Sequence, residues 1–126
     1  MAKRILYKNH CTPQEQVSST DRYYLDGDCG RKLTGSNLYE LGSGTTATGT
    51  LTSSAAIGTT IDFIAVTATS ITSDATVHIS LDNNATPIIK LLEGECFASK
   101  IASGAQPYVR ITNNSGSATV NYMTGT

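Results

Sequence analysis

The sequence has no tryptophan, only two phenylalanines and six tyrosines, and charged residues make up 15% of its 126 residues. Its nine Lys and Arg residues are scattered and its net charge is -1, so nothing in the composition marks a nucleic-acid-binding protein. No apolar run is long enough to cross a membrane. Residues 1–4 are basic, but the apolar stretch of a signal peptide does not follow them. We therefore expect a protein that is made and kept in a cytoplasm, at least until assembly.

Cysteine is also scarce, because the chain has only Cys11, Cys29 and Cys96. The number is odd and no two of these residues have the spacing of a zinc motif. In a reducing compartment we expect all three to be free thiols. A bridge between Cys11 and Cys29, formed after release into an oxidising medium, is the alternative, which spacing alone does not establish.

Groupings that resemble metal sites are few and incomplete. His10 and Cys11 together with Cys29 supply three zinc ligands, but a structural zinc site needs a closed set of four. Asp26 and Asp28 have the spacing of calcium ligands, but the residues that follow do not continue an EF-hand loop. The sequence therefore predicts an acidic turn here, with no metal and no cofactor.

Candidates for catalysis are equally weak. His78 lies within a predicted strand on its polar side, where a solvated histidine is the simpler interpretation. Glu93 and Glu95 flank a glycine and share no fixed face, whereas a glycosidase needs two carboxyl groups across a cleft. We interpret the two glutamates as a charged turn that discourages pairing at a sheet edge. The sequence predicts no catalytic residue, and hence no enzyme.

Threonine and serine dominate what is present, with 19 and 13 copies. Neither favours helices, because Thr is stiff at χ1 and Ser competes for backbone hydrogen bonds. After a Gly/Thr-rich stretch at residues 41–50, interpreted as a linker, short apolar runs alternate with turn residues. This pattern predicts an all-β fold, with a β-sandwich or jelly-roll-like domain of about seven strands over residues 45–126. The predicted strands are Thr48–Ser53, Ile61–Thr69, Ala75–Asp82, Pro87–Leu92, Cys96–Ile101, Pro107–Thr112 and Ala118–Met123.

Two of these strands make specific predictions about their faces. Alternation in Ala75–Asp82 predicts one face directed to the core and one to solvent. The core face has Val77, Ile79 and Leu81, and the solvent face has Thr76, His78, Ser80 and Asp82. Ile61–Thr69 is apolar on both faces, which predicts either a central strand or a bulge near Phe63.

Residues 1–44 differ in composition from the rest of the chain. They contain 11 of the 19 charged residues and four of the six tyrosines, with poor apolar periodicity. We expect an extended, irregular N-terminal arm, with short strands near Ile5–Lys8 and Arg22–Leu25 and a turn at 26–30. Tyr and Arg are enriched where proteins meet, so the arm is either a partner-contact region or folds back onto the sandwich. The residues expected to contact a partner are Tyr7, Arg22, Tyr23, Tyr24 and Tyr39.

Four segments of residues 60–126 share a Thr-rich strand–turn–strand pattern that includes a Leu-x-Gly-Glu turn. The segments are Ala75–Asp82, Ile88–Glu95, Pro107–Asn113 and Ser117–Tyr122. This pattern resembles the small β-sandwich structural proteins of tailed-bacteriophage virions, of the head decoration or cement type. The resemblance implies a homotrimer on the capsid surface that binds the major capsid protein and staples neighbouring capsid subunits, without nucleic acid or membrane.

Two other roles are compatible with the same sequence. One is a tail or head–tail accessory protein of the virion, which would have the same composition at a lower copy number. The other is a carbohydrate-binding or receptor-binding β-sandwich module, in which Tyr108 or Tyr122 stacks on a sugar. The absence of tryptophan argues against the second role.

Overall fold

The computed structural model describes residues 3–11, 14–16, 22–24 and 33–126, and all the regular structure in these residues is β-strand. The chain divides into two compact units, one formed by Ile5–Tyr39 and the other by Met1–Arg4 with Glu40–Thr126. The boundary predicted at residues 44 and 45 stays a prediction.

The described residues of the N-terminal region include four strands, where two were expected from the sequence. They are β1 (Arg4–Cys11), β2 (Gln14–Gln16), β3 (Arg22–Tyr24) and β4 (Leu33–Glu40). Strand β1 pairs with β4, and β2 pairs antiparallel with β3. The turn predicted at 26–30 lies outside the described residues.

The larger unit is a β-sandwich of two four-stranded antiparallel sheets, which confirms the predicted fold class. Sheet A has the strand order β10-β7-β12-β5, and sheet B has the order β6-β11-β8-β9. The strands are β5 (Thr46–Leu51), β6 (Ala55–Ala56), β7 (Phe63–Ile71), β8 (Thr76–Ser80), β9 (Pro87–Leu91), β10 (Cys96–Lys100), β11 (Tyr108–Thr112) and β12 (Ala118–Gly125).

The pairing follows one simple rule along the chain. The first sandwich strand pairs with the last (β5 with β12), the second with the seventh (β6 with β11), and so on inward to the hairpin of β8 and β9. The unit is therefore one long antiparallel hairpin that rolls up into two sheets. This wrapping is that of a jelly roll.

The core lies between the two sheets. Sheet B contributes Val77, Ile79 and Val109, and sheet A contributes Val66 and Val120, all completely buried. Each such side chain stabilises the fold by about 1.5–3 kcal/mol. The predicted core face of β8 is confirmed at Val77 and Ile79.

Strand β7 lies inside sheet A, between β10 and β12, so the interpretation of residues 61–69 as a central strand is confirmed. Ile64 faces the core, while Phe63 is buried on the opposite side of the strand. A register shift opposite β12 leaves Thr69 as the extra residue, so the irregularity lies at the far end of the strand from Phe63.

An eighth sandwich strand, β6, was not expected from the sequence. It has only two residues and no β-branched or aromatic side chain, so no local propensity marks it. Neighbouring bonds hold it against β11. Ser54 Oγ donates to the Ile111 carbonyl (3.0 Å) and accepts the Ile111 N–H (2.8 Å), while the Ile57 N–H donates to the Pro107 carbonyl (3.1 Å).

The Gly/Thr-rich stretch after β4 is tied to the sandwich unit and is not a free linker. Leu41 is buried, and its N–H donates to the Lys3 carbonyl at 3.0 Å. Ser43 N–H donates to the Thr126 carbonyl at 3.2 Å, and Thr126 N–H donates to the Thr45 carbonyl at 3.0 Å. These bonds join the start and the end of the unit.

Candidate functional site

The five residues predicted to contact a partner lie on three strands of the N-terminal region. Strand β3 holds Arg22, Tyr23 and Tyr24 in succession, while Tyr7 lies on β1 and Tyr39 lies on β4. Tyr7 is half-buried, and the side chains of the other four lie outside the described part of the structure. Their contact with a partner stays a prediction.

The residues considered as metal ligands lie mostly outside the described side chains. His10 and Cys11 belong to β1, whereas Asp26, Asp28 and Cys29 lie outside the described residues. Among the described side chains, no group of three or more His, Cys, Asp or Glu residues is placed to hold a metal ion. The absence of zinc or calcium at the N-terminal positions stays a prediction.

Glu93 and Glu95 build the turn between β9 and β10. Glu95 Oε2 accepts the Leu92 N–H at 2.7 Å, and Glu93 Oε1 accepts the Ile71 N–H at 3.4 Å. Gly94 takes a φ of 81°, a value that glycine adopts without strain. Both carboxylates thus satisfy backbone donors of the turn and its neighbouring strand.

A polar network on sheet B centres on Ser80. Alternation predicts Ser80 on the solvent face, and this prediction is wrong, because Ser80 is completely buried. The register between β8 and β9 shifts here, with Ile88 as the extra residue, and the loop after β8 closes onto the Ser80 hydroxyl. Ser80 Oγ donates to Asp82 Oδ1 and accepts the N–H groups of Asp82 (3.3 Å) and Asn84 (3.1 Å).

The same loop positions a cation on the outer face of sheet B. Asn83 and Asn84 both have left-handed backbone conformations, with φ of 57° and 70°. Arg110 Nε donates to Asn84 Oδ1, and Arg110 Nη2 donates to the Asn84 carbonyl, both at 2.6 Å. A sequence of bonds thus runs from buried Ser80, through Asn84, to the guanidinium group, and it restricts the orientation of Arg110.

Asp82 is the titratable group of this loop. The hydrogen bond from the Ser80 hydroxyl, and secondarily that from the Thr86 N–H (2.8 Å), lower the pKa of the Asp82 carboxyl below its ordinary value of 3.8. A carboxyl group whose pKa is lower in the folded state than in the unfolded chain stabilises the fold above the unfolded pKa. That contribution disappears as the pH falls through the folded pKa.

We expect Asp82→Asn to lower the thermal unfolding temperature at pH 7, because the charged acceptor of the Ser80 and Thr86 bonds is lost. The difference from the unaltered protein should shrink as the pH falls below about 4 and through the pKa of the folded Asp82 carboxyl, because protonation then leaves a neutral group at this position in both chains. Circular dichroism melts from pH 7 to pH 2 measure this difference. Asp62→Asn, which removes a carboxylate elsewhere on the sandwich, is the control. A difference that persists unchanged at pH 2 would contradict the account.

Arg110, His78 and Lys90 stand side by side on the outer face of sheet B, and we call these three residues the basic row. The register pairs Arg110 with His78, and His78 with Lys90. Directly opposite residues of antiparallel strands have Cβ atoms about 4.5–5.5 Å apart. Lys90 is exposed and the other two side chains are half-buried. The row therefore presents two positively charged side chains, with an imidazole between them, on three adjacent strands.

The corresponding surface of sheet A has a different character. A row of Thr67, Asn121 and Thr50 crosses three strands there, and Thr50 Oγ1 donates to Asn121 Oδ1 at 2.8 Å. Cys96, which lies opposite Thr67, is an exposed free thiol. The centre of this face is uncharged, so the two outer faces of the sandwich differ in charge.

The basic row is not apparent from the sequence, in which the Lys and Arg residues are scattered. Lys90 and Arg110 are twenty positions apart in the chain and meet only because both of their strands flank β8. A signal was nevertheless present. Each of the three residues is a polar residue between two apolar neighbours within a predicted strand.

A scan against protein-family models found no match, and no curated protein or solved structure matches the chain. Within the part of the chain that the structure describes, no helix is long and apolar enough to cross a membrane. The functional proposal therefore rests on the fold and on the described surfaces.

Proposed function

We propose that this protein is a structural component of a bacteriophage virion that decorates and cements the capsid, by binding across neighbouring capsid subunits. The jelly-roll wrapping of the sandwich is the observation that supports it most, because viral capsid domains are prominent users of that architecture. The segments that carry the resemblance to decoration proteins lie on β8 to β9 and β11 to β12, within this sandwich.

A decoration protein strengthens a shell by mass action, since it binds the assembled lattice and not the free subunits. Its contacts must bury at least about 1,000 Å² across subunit boundaries to be specific. The outer faces of the two sheets, together with an N-terminal region rich in Tyr and charge, offer such contacts. We propose the major capsid protein as the partner, a homotrimer as the assembly and the capsid surface as the location.

The jelly roll also supports a second candidate, because lectin domains use the same architecture. In that role a tyrosine would stack on a sugar. Tyr122, however, packs against the core between the sheets, close to Gly49, which leaves Tyr108 as the half-buried tyrosine of an outer face. The decoration role needs no such aromatic platform, and we favour it for that reason.

Co-sedimentation of the purified chain with virus particles from its host tests the proposal. We expect the unaltered chain to pellet with the particles, and Tyr23→Ala combined with Tyr24→Ala to weaken this binding about tenfold or more, as for interface tyrosines. Thr50→Ala, on the outer face of sheet A, is the control for a surface truncation. If the unaltered chain stays in the supernatant, the capsid role is wrong. If the double variant binds normally, the N-terminal tyrosines do not make the contact.

A further inference from the structure

The basic row is a concentration of positive charge in a region that is otherwise acidic. Residues 41–126 contain five carboxylates but only three Lys and Arg residues, and two of those three belong to the row. Among the described residues, neither Arg110 nor Lys90 forms a salt bridge with a carboxylate. Lys90 and Arg110 lie two strands apart, on either side of His78, so their positive charges add over one short stretch of surface. An anionic partner could interact with both.

Arg110 is also held in place before any partner arrives. Its Nε and Nη2 atoms bond to two oxygens of Asn84, which are neutral acceptors. The full positive charge therefore remains, while the orientation of the side chain is restricted by a loop with two left-handed residues. A cation that is already ordered loses less conformational entropy when it binds a carboxylate.

Exposed apolar side chains adjoin the basic row at both ends of the edge strand β9. Ile88 is 62% exposed and Leu92 is 57% exposed, the largest exposures of big apolar side chains in the sandwich. Tyr108, the next outward residue of β11 beside Arg110, is half-buried on the same face. Apolar, Tyr and Arg side chains together are typical of a protein-binding surface.

We propose that the outer face of sheet B docks a carboxylate-bearing surface of a partner protein, with Lys90 and Arg110 as its charge contacts and Ile88 and Leu92 as its apolar border. A protein partner fits better than a nucleic acid, because a phosphate backbone is bound by many cations, whereas this face has two cations bordered by the exposed apolar side chains of Ile88 and Leu92. That the partner is a capsid protein rests on the function proposed above. The assignment of this face as a docking surface does not depend on that function.

A labelled decaglutamate peptide serves as the probe, measured by fluorescence anisotropy with the full chain at low ionic strength. We expect Lys90→Glu to weaken peptide binding about tenfold, since it removes one attraction and adds one repulsion. Lys100→Glu is the matched control, because it makes the same charge change at an exposed lysine on sheet A. We expect it to change binding less than about twofold. Nuclear magnetic resonance of the labelled chain should place the shifts on β8, β9 and β11.

Three results would overturn the proposal: no binding by the unaltered chain, equal losses in the Lys90 and Lys100 variants, or tighter binding of an oligothymidine probe than of the peptide. The last would make the partner a nucleic acid. Circular dichroism melts of both variants confirm that they fold. The peptide experiment contains no virus particle, so it tests this surface separately from the capsid role. If the chain binds the peptide through Lys90 but does not co-sediment with particles, the docking surface is supported and the capsid role is wrong.

Discussion

Ile79→Asp is expected to abolish the cooperative thermal transition of the sandwich, or to lower it by more than about 20 °C. Ile79 is completely buried on β8, between β11 and β9 in the middle of sheet B. The substitution removes a large apolar side chain from the core and places a carboxylate where no cation can pair with it. The two effects together cost about 5 kcal/mol or more, against a total stability of roughly 5–15 kcal/mol for a domain.

Two control variants separate burial of charge from disturbance of the strand. Ile79→Val removes one methylene group and is expected to cost about 0.5–1.5 kcal/mol. Thr76→Asp places the same carboxylate on the outward-facing side of β8, where Thr76 is half-buried, and its effect should be mild. If Ile79→Asp melted like the unaltered protein, the strand would be shifted by one residue and its two faces exchanged.

Gly116→Ala is the second substitution with a large expected effect. A Cβ atom at Gly116 would overlap the carbonyl oxygen of Thr72 and lie 2.8 Å from the carbonyl carbon. These are backbone atoms, so no side-chain rotation can relieve the overlap. We expect a loss of about 3 kcal/mol, or a fall of roughly 10–20 °C in the thermal midpoint measured by circular dichroism.

The neighbouring hydrogen bonds explain why the backbone cannot simply move apart. Thr72 N–H donates to the Ser117 carbonyl, and Ser117 N–H donates to Thr72 Oγ1, both at 2.9 Å. Asp74 Oδ1 accepts the Ser115 N–H at 2.7 Å and the Ser115 hydroxyl at 2.9 Å. The two loops are thus joined on both sides of Gly116, and separating them would break these bonds.

Gly42→Ala is the matched control for Gly116→Ala. A Cβ atom at Gly42 meets nothing within 4 Å, and the backbone there does not require glycine. The variant should be as stable as the unaltered protein, or slightly more stable because Ala restricts the unfolded chain. Equal melts for the two variants would show that the approach of Thr72 to Gly116 is looser than the structure indicates.

The strands of the sandwich were predictable because their signal is local. In β8, apolar and polar residues alternate, and β9 is a short, mainly apolar run between a loop and a turn. The structure places strands at Thr76–Ser80 and Pro87–Leu91. The pairing of β5 with β12 was not predictable in the same way. It depends on contacts between residues some seventy positions apart, which leave no trace in a local pattern.

Ser80 and β6 show what local patterns miss. Ser80 has the polar position of its strand, and it becomes buried only because the loop after β8 closes onto its hydroxyl. Strand β6 consists of two alanines, and the bonds of Ser54 with Ile111 hold it in place. Ser80 is thus buried by hydrogen bonds with its own loop, and β6 is held by bonds between residues far apart in the chain. Neither effect is visible in the apolar pattern of a strand.

The basic row belongs to the same category, since its members come from three strands that the fold brings together. In the sequence, Lys90 and Arg110 appear only as isolated charged residues. The tyrosines of β1, β3 and β4, by contrast, were selected from composition alone, and their role is still a prediction. Comparing variants of Lys90 with variants of Tyr23 and Tyr24 in particle binding would show which of these regions contributes more.

We propose that this jelly roll is part of a virus shell, and the copy number of the chain in the particle distinguishes this role from the alternatives. Quantitative mass spectrometry of purified particles from the host, with this chain counted against the major capsid protein, gives that number. The account predicts a ratio near one or a simple fraction such as one third, as for a protein that repeats with the lattice. A few copies per particle would place the chain at the tail or the portal vertex. Complete absence from the particles would contradict the virion role and make the carbohydrate-binding module the leading candidate.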